Sequence, residues 1–401
     1  MKVRAVVAAL ALVLASALAP PLARAQDAGS VLLTYQRNFV RSSLGAKLEL
    51  LKEAGARNAE EMAPLYDTAL RFAVESEPLL GAADAQLREL VLIAAAKAGE
   101  AAYAPSAARL WALFRLYEGD VELRALAVAS LGAAGAGNEE VVAAVGEFLA
   151  SQNVVFRSGM QPEYPALEAA VDALGRIGDG ASFPVLFSTY VAGYNPDLTA
   201  KASKALGRIK GDYAGYLARV LAMSSPLEKA AALKAALENP AFGPEERGGL
   251  AEAALAAGLA WTGGAPVENQ AIRELNLRAI RTIRELGWQR ASPLVLRYFR
   301  ALLADYAKGA APRGDLLETI VCLGAMGSSE AAQALALQLQ LINAQTELGG
   351  SYDDEVILAT IRALGELGDK VAFDYLLYVG YLKYPDEVKR AAKEALLRLR
   401  W

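Results

Sequence analysis

The sequence predicts an all-α protein in which pairs of helices stack on one another into an α-solenoid. The pentapeptide Ala-Leu-Gly-Arg-Ile occurs twice, at 173–177 and 205–209, so that equivalent positions lie 32 residues apart. Apolar residues of the first copy recur at steps of four, three and three, which places them on one face of a helix: Leu167, Val171, Leu174 and Ile177. Alanine, the strongest helix former, supplies much of the 54% hydrophobic fraction.

A tight turn is predicted after the first copy. Gly178 ends the helix there, because glycine adopts the left-handed backbone conformation at low cost. Asp179 then caps the next helix, in which Pro184 fits the first turn. One pair of helices leaves apolar surface uncovered, so each pair requires neighbouring pairs.

Residues 1–25 are predicted to be a cleavable secretory signal peptide. A basic start precedes an uninterrupted apolar run at 5–19, and Ala23-Arg24-Ala25 offers small residues at both specificity positions of a cleavage site. The run is shorter than the roughly 20 residues that a membrane-spanning helix needs. A cut between Ala25 and Gln26 predicts a periplasmic or secreted protein that is not inserted in the membrane after cleavage.

The charge of the chain argues against binding to nucleic acid. Cleavage would remove Lys2, Arg4 and Arg24 and shift the formal net charge from −4 to −7. Non-specific nucleic-acid binding requires clustered positive charge. We therefore expect no nucleic-acid partner. A curved helical array is instead expected to bind a protein or peptide, whose identity the sequence does not specify.

Residues 26–84 are predicted to form an N-terminal helical cap. Apolar residues indicate one helix from about Val31 to Ala54 and a second from about Ala59 to Val74. Neither helix carries the Leu-Gly pattern, and terminal units of a solenoid are often atypical because one of their faces meets water.

Residues 85–401 are predicted to form the repeat array. Related patterns recur at Ala95–Gly99, Leu131–Gly135, Ile283–Gly287, Leu323–Gly327 and Leu364–Asp369. The interval between the second copy and Ile283 is about two units, so one unit is expected to lie between them. Leu227, Leu233 and Leu237 are candidates for its inner helix, and the register between Lys210 and Ala279 stays open.

Two of the longer units are expected to contain inserted loops. These are the segments Ser151 to Pro165 and Glu347 to Asp354. Such insertions usually lie on one rim of an array, where they shape a binding surface.

The repeated motif resembles HEAT-like repeats of the phycobilisome-lyase type. Ala-Leu-Gly-Arg-Ile-Gly-Asp at 173–179 and Ala-Leu-Gly-Glu-Leu-Gly-Asp at 363–369 carry the resemblance, together with Lys389–Leu396. It covers about residues 85–401. The resemblance implies a superhelix of helix–turn–helix repeats that binds a partner, and the family name also implies bilin attachment. That activity conflicts with the signal peptide, because its protein substrates are cytoplasmic.

The composition excludes catalysis and metal binding that depend on histidine or on several cysteines, whereas carboxylate pairs remain possible. The chain contains no histidine and a single cysteine, Cys322. Catalytic triads, histidine general acid–base chemistry, histidine-ligated zinc and thiolate metal sites are therefore absent. Cys322 lies on the apolar stripe of a predicted helix and is expected to be a buried hydrophobe. Acidic groups at Glu60-Glu61 and Asp353-Asp354-Glu355 are expected to lie at helix starts, where they favour the helix dipole. We predict no catalytic, cofactor-binding or metal-binding residues.

Two sets of residues are candidates for partner binding. Basic residues of the inner helices would form a positive stripe suited to an acidic segment, unless local ion pairs neutralise them: Arg176, Lys201, Lys204, Arg208, Arg281, Arg284 and Arg362. Tyrosines recur at three-residue steps at Tyr375, Tyr378 and Tyr381. Tyrosine offers apolar area with a polar tip, which suits recognition and also suits packing between helices.

The predicted function is that of a non-catalytic interaction scaffold or adaptor in the bacterial cell envelope. The partner would bind along the surface of a curved helical array. The alternatives are an enzyme subunit of lyase type, and a protein that binds envelope glycan or lipid through the tyrosines. Fold alone does not distinguish these functions.

Overall fold

The computed structural model describes residues 29–81, 84–350 and 352–400 in full, and the backbone of residues 21–28. These residues form twenty α-helices and contain no β-strand, which confirms the all-α prediction. None of the helices in this part of the chain combines the length and the hydropathy needed to cross a membrane. Most of the predicted signal peptide, and the side chains on both sides of its cleavage site, lie outside the described residues.

The chain divides into two compact units, Met1–Gly211 and Asp212–Trp401. The helices of unit 1 are α1 Pro21–Arg41, α2 Leu44–Ala54, α3 Ala59–Leu80, α4 Ala85–Glu100, α5 Ala107–Leu116, α6 Val121–Ala134, α7 Glu139–Arg157, α8 Tyr164–Ile177, α9 Phe183–Ala192 and α10 Pro196–Leu206. Those of unit 2 are α11 Tyr213–Met223, α12 Pro226–Glu238, α13 Pro244–Ala260, α14 Pro266–Leu286, α15 Ser292–Ala307, α16 Arg313–Ala325, α17 Ser329–Glu347, α18 Asp354–Leu367, α19 Phe373–Val379 and α20 Asp386–Leu396.

Within each unit the helices alternate between two layers. Each odd-numbered helix packs on the even-numbered helix that follows it, and helices of the same parity pack on one another in series. We call these the odd layer and the even layer. The helices of the predicted N-terminal cap, α1 to α3, follow the same alternation. The pair α11–α12 is the unit that the sequence left unassigned between Ile209 and Ile283. Leu233 of this pair is buried, whereas Leu227 is half exposed.

The Leu-Gly motif marks where neighbouring even helices approach most closely. A Cβ built on Gly132 would lie 2.9 Å from the Ala173 Cα, and one on Gly365 would lie 3.0 Å from the Ala395 Cα. Both distances are too short for contact between carbon atoms, so glycine is required by the packing. Gly178 ends α8 with a φ of 70°, as predicted.

The first predicted helix is wrong in one respect, because it is broken into α1 and α2 at Ser42 and Ser43. Ser43 is extended, with φ −67° and ψ 164°, and the Ser42 hydroxyl donates a hydrogen bond to the Asn38 carbonyl. Serine side chains that bond to nearby backbone favour such breaks. Near the end of α1, Val40 is 66% exposed, whereas Phe39 beside it is buried.

The predicted loop at Ser151–Pro165 is also wrong, because α7 continues to Arg157. Helix α17 has the same length of 19 residues and ends at Glu347, so the loop predicted from that residue is correctly placed. The additional residues of these two repeat units therefore lengthen helices of the odd layer.

Basic side chains of the even layer bind the C-terminal carbonyls of the preceding odd helix. Lys47 of α2 donates to the Ser42 carbonyl beyond α1 at 2.6 Å, and Lys229 of α12 donates to the carbonyl of Ala222 in α11 at 2.8 Å. Arg124 of α6 donates to the carbonyl of Phe114 in α5 at 3.0 Å. Burial lowers the pKa of Lys47 and of Lys229. These cations join the two layers at the negative ends of the odd helices.

The last two repeats of the two units correspond without a gap. Residues 139–210 align with 329–400 at a constant offset of 190, so that α7 matches α17, α8 matches α18, α9 matches α19 and α10 matches α20. Gly178 and Gly368 occupy equivalent left-handed turns. The chain therefore contains two versions of the same local scaffold, whose surfaces are directly comparable.

Candidate functional site

Four of the basic residues considered for the stripe are neutralised by acids on a neighbouring helix of the even layer. The pairs are Lys201–Glu168 at 2.5 Å, Arg281–Glu318 at 3.3 Å, Arg284–Glu318 at 3.1 Å and Arg362–Glu387 at 3.6 Å. The hydrogen bond to Glu168 raises the pKa of Lys201. Partly exposed pairs of this kind contribute little to stability. They do reduce the positive potential that these four cations offer to a partner.

The remaining three, Arg176, Lys204 and Arg208, are exposed and form no ion pair with any acid in the described part of the chain. All three belong to α8, α10 and the segment just after α10. A surface cleft of about 410 Å³ brings two of them together with a further cation, and we call it the basic cleft: Gly175, Arg176, Ile177, Gly178, Arg208 and Lys210. Lys204 lies one turn before Arg208. Of the predicted stripe, the cations without an acidic partner therefore form a cluster within unit 1.

The equivalent surface of unit 2 has a different charge. At the offset of 190, Arg176 corresponds to Glu366 and Lys204 corresponds to Glu394. Arg208 and Lys210 keep their sign, as Arg398 and Arg400. Since helix ends of the same geometry carry acids in unit 2, the scaffold does not require cations at these positions. The cations Arg176 and Lys204 are therefore a property of the surface of unit 1 and are not required by the fold.

Two of the three candidate tyrosines meet in a second cleft, of about 350 Å³, between α17 and α19. Tyr375 and Tyr378 line it, whereas Tyr381 is 77% exposed and lies outside it. The Tyr378 hydroxyl donates a hydrogen bond of 2.8 Å to Oε1 of Glu347, and this bond raises the pKa of Tyr378. Asp374 also lines the cleft. We call this the tyrosine cleft.

Sequence reasoning missed the asparagines that fix the ends of the long odd helices. The hydroxyl of Tyr194 donates to Oδ1 of Asn153 at 2.7 Å, and that of Tyr384 donates to Oδ1 of Asn343 at 2.9 Å. Both pairs span 41 residues and are related by the offset of 190. That shared spacing is the sequence signal by which they could have been found. Burial raises the pKa of both tyrosines, so each phenol stays protonated and able to donate.

The remaining titratable candidates have structural roles. Cys322 is fully buried, as predicted, and burial raises the pKa of its thiol to about 12. Asp353 caps α18, since its Oδ1 accepts from the backbone N–H of Glu355 at 3.0 Å. Within the described residues, no three histidine, cysteine, aspartate or glutamate side chains converge in an arrangement that would bind a metal ion.

Comparison of the sequence with protein-family models and with curated proteins gives no match in either case.

Proposed function

We propose that the protein is a non-catalytic scaffold or adaptor of the bacterial cell envelope that binds an acidic segment of a protein partner at the basic cleft. The observation that carries this proposal is the set of exposed cations Arg176, Lys204 and Arg208, for which the described residues provide no acid. The N-terminal sequence supports export, and the absence of histidine from the whole chain supports a role in binding over catalysis.

The cluster is suited to a short acidic segment rather than to a large anionic surface. The chain as a whole is negative, so the attraction is local and decays over about 10 Å at moderate ionic strength. Arginine offers a planar fork that binds a carboxylate through two parallel hydrogen bonds. Arg176 and Arg208 line one cleft from two neighbouring segments, so both would bind carboxylates of the same peptide.

The charge difference between the two units provides the sharpest test. The double variant R176E/K204E gives unit 1 the same residues that unit 2 carries at Glu366 and Glu394. We expect it to fold normally, because unit 2 already packs with these side chains. Fluorescence anisotropy with a labelled glutamate-rich peptide measures binding, and circular dichroism checks the fold.

We expect the unmodified protein to bind the peptide with an affinity that falls as salt rises, and the double variant to lose this binding. R398E is the matched control, since it reverses a cation at the equivalent position of unit 2 and is expected to leave binding unchanged. Equal binding by the unmodified protein and the double variant contradicts the proposal. Cross-linking in native envelope extract, followed by mass spectrometry, then identifies the partner whose capture depends on Arg176 and Lys204.

A further inference from the structure

The tyrosine cleft of unit 2 combines two carboxylates with two aromatic rings. Glu347 is the last residue of α17, and Asp374 is the second residue of α19. Both are exposed and line the cleft with Tyr375 and Tyr378. Neither acid forms an ion pair with a cation in the described part of the chain, and no cation lines the cleft. The site therefore presents negative charge that the protein itself leaves uncompensated.

Hydrogen bonds within the protein already hold part of this lining in place. Glu347 accepts from the Tyr378 hydroxyl at 2.8 Å, which fixes the carboxylate beside the ring. Asn343 donates through Nδ2 to the Tyr375 carbonyl at 3.0 Å and accepts from Tyr384 through Oδ1. The amide of Asn343 is thus used in holding Tyr375. The rings, the two carboxylates and the amide of Gln340 remain as the groups available to a ligand.

The corresponding position in unit 1 lacks this chemistry. The offset of 190 matches the two acids and two tyrosines of the cleft with Arg157, Pro184, Val185 and Ser188. Arg157 donates a hydrogen bond of 2.7 Å to the Ser188 hydroxyl. The equivalent helices of unit 1 therefore pack without the two acids and the two tyrosine rings. Packing of α17 against α19 does not by itself explain why unit 2 carries them.

We propose that the tyrosine cleft binds an organic ammonium group. A cation placed against the face of a tyrosine ring is attracted by the ring quadrupole, and a neighbouring carboxylate adds a charge pair. The volume of about 350 Å³ lies at the small end of ligand pockets, which span roughly 300–1,000 Å³. The ammonium group belongs either to a free quaternary amine or to a lysine side chain of a protein. This proposal is independent of the basic cleft, which has the opposite charge and lies in unit 1.

Ligand-observed NMR on the full chain tests the proposal with defined probes. The probes are tetramethylammonium chloride, for a free quaternary amine, and Nα-acetyl-lysine amide, for a lysine side chain. Sodium chloride at equal ionic strength controls for general screening, and glucose tests a neutral sugar. Binding of either ammonium probe supports the proposal, and the stronger of the two indicates the source of the group.

Three variants locate the binding. Y375A is expected to weaken it about three- to thirtyfold, the range that the loss of one cation–π contact implies. E347Q/D374N removes both charges from exposed positions without loss of side-chain volume, and it keeps the proposal testable if Y375A unfolds. Y378F keeps the ring and is expected to retain most of the binding. R157Q is the matched control in unit 1 and is expected to have no effect.

Two results with the ammonium probes would overturn the proposal. One is the absence of binding by both ammonium probes to the unmodified protein. The other is equal affinity of the unmodified protein and E347Q/D374N, which would place the cation elsewhere. Binding of glucose in preference to both cations also contradicts it and favours a glycan site.

Discussion

Gly175 of α8 lies so close to Ala205 of α10 that a Cβ built on the glycine would be 2.6 Å from the Ala205 Cβ. Carbon atoms in favourable contact are about 3.5–4.0 Å apart. Gly207 occupies the same place in the second copy of the motif, yet its nearest neighbours are carbonyl oxygens of α10 itself at 3.6 and 3.7 Å. The glycines of the two copies of the pentapeptide therefore have different roles.

We expect G175A to destabilise the protein. Overpacking in a close-packed interface costs about 1–3 kcal/mol. The gain in helix propensity from glycine to alanine is at most about 1 kcal/mol, so the steric cost dominates. Urea unfolding followed by circular dichroism measures the change.

G207A is the matched control and is expected to raise the free energy of unfolding by about 0.4–1 kcal/mol. Its backbone is helical, with φ −65° and ψ −13°, so alanine fits without strain. Equal effects of the two substitutions would show that close approach does not explain the glycine in this motif.

The helix pairs could be predicted from the sequence because the Leu-Gly pattern reflects packing between neighbouring helices. The pattern fails in α12, where Leu227 is half exposed and no motif glycine is present. The prediction also fails at Ser42 and Ser43, where the Ser42 hydroxyl bonds to the backbone and no apolar spacing indicates the break. The motif does not predict the division into two units, since an ordinary copy at 205–209 lies directly before the boundary.

Two buried tyrosines are expected to respond oppositely to loss of their hydroxyl groups. The Tyr117 hydroxyl is buried and has no hydrogen-bond partner among the described residues. The Tyr66 hydroxyl donates to the Ala54 carbonyl at 3.1 Å. Y117F is expected to raise the free energy of unfolding by about 1 kcal/mol, and Y66F to lower it by a similar amount. Thermal and urea unfolding of both variants measure the difference, and a loss of stability in Y117F would reveal a partner for that hydroxyl.

The charge of Asp120 is expected to stabilise the protein in a pH-dependent manner. Its carboxylate accepts hydrogen bonds from Arg88 and from the backbone N–H of Leu123, which hold the pKa of Asp120 below its ordinary value of 3.8. The unfolded chain therefore binds this proton at a higher pH than the folded chain does. The contribution of Asp120 is fully present above pH 3.8 and is lost as the pH falls through the folded pKa.

D120N removes this charge together with one acceptor of the Arg88 guanidinium, while the amide oxygen still accepts from Leu123. We expect D120N to be less stable than the unmodified protein at neutral pH, and the difference to shrink as the pH falls below 3.8. Urea titrations at several pH values measure it. A difference that does not change with pH would assign the effect to geometry and not to charge.

Cys322 is expected to resist thiol reagents in the folded protein. It has no exposed surface, and burial raises its pKa to about 12, so the reactive thiolate is scarce at neutral pH. Labelling with iodoacetamide is expected to be negligible in buffer and complete in denaturant. Fast labelling of the native protein would contradict the burial of α16.

The candidate site was less predictable than the fold. Six of the seven basic candidates lie on even helices, but the sequence could not show that Glu318 lies near both Arg281 and Arg284. Such pairs join residues about 35 positions apart and depend on the stagger of neighbouring helices. The three-residue spacing of the tyrosines likewise does not predict that Tyr381 lies outside the cleft. Helix α19 ends at Gly380, so Tyr381 does not continue the helical face that carries Tyr375 and Tyr378.

The lysines that join the two layers are expected to couple the local unfolding of neighbouring helices. Lys47 and Lys229 each hold the end of an odd helix from the following even helix, so the odd helix does not fray without breaking a bond to its partner. Local opening is therefore expected to release helices two at a time. In a hydrogen-exchange experiment, the amides of α1 and α2 would share one protection factor, as would those of α11 and α12.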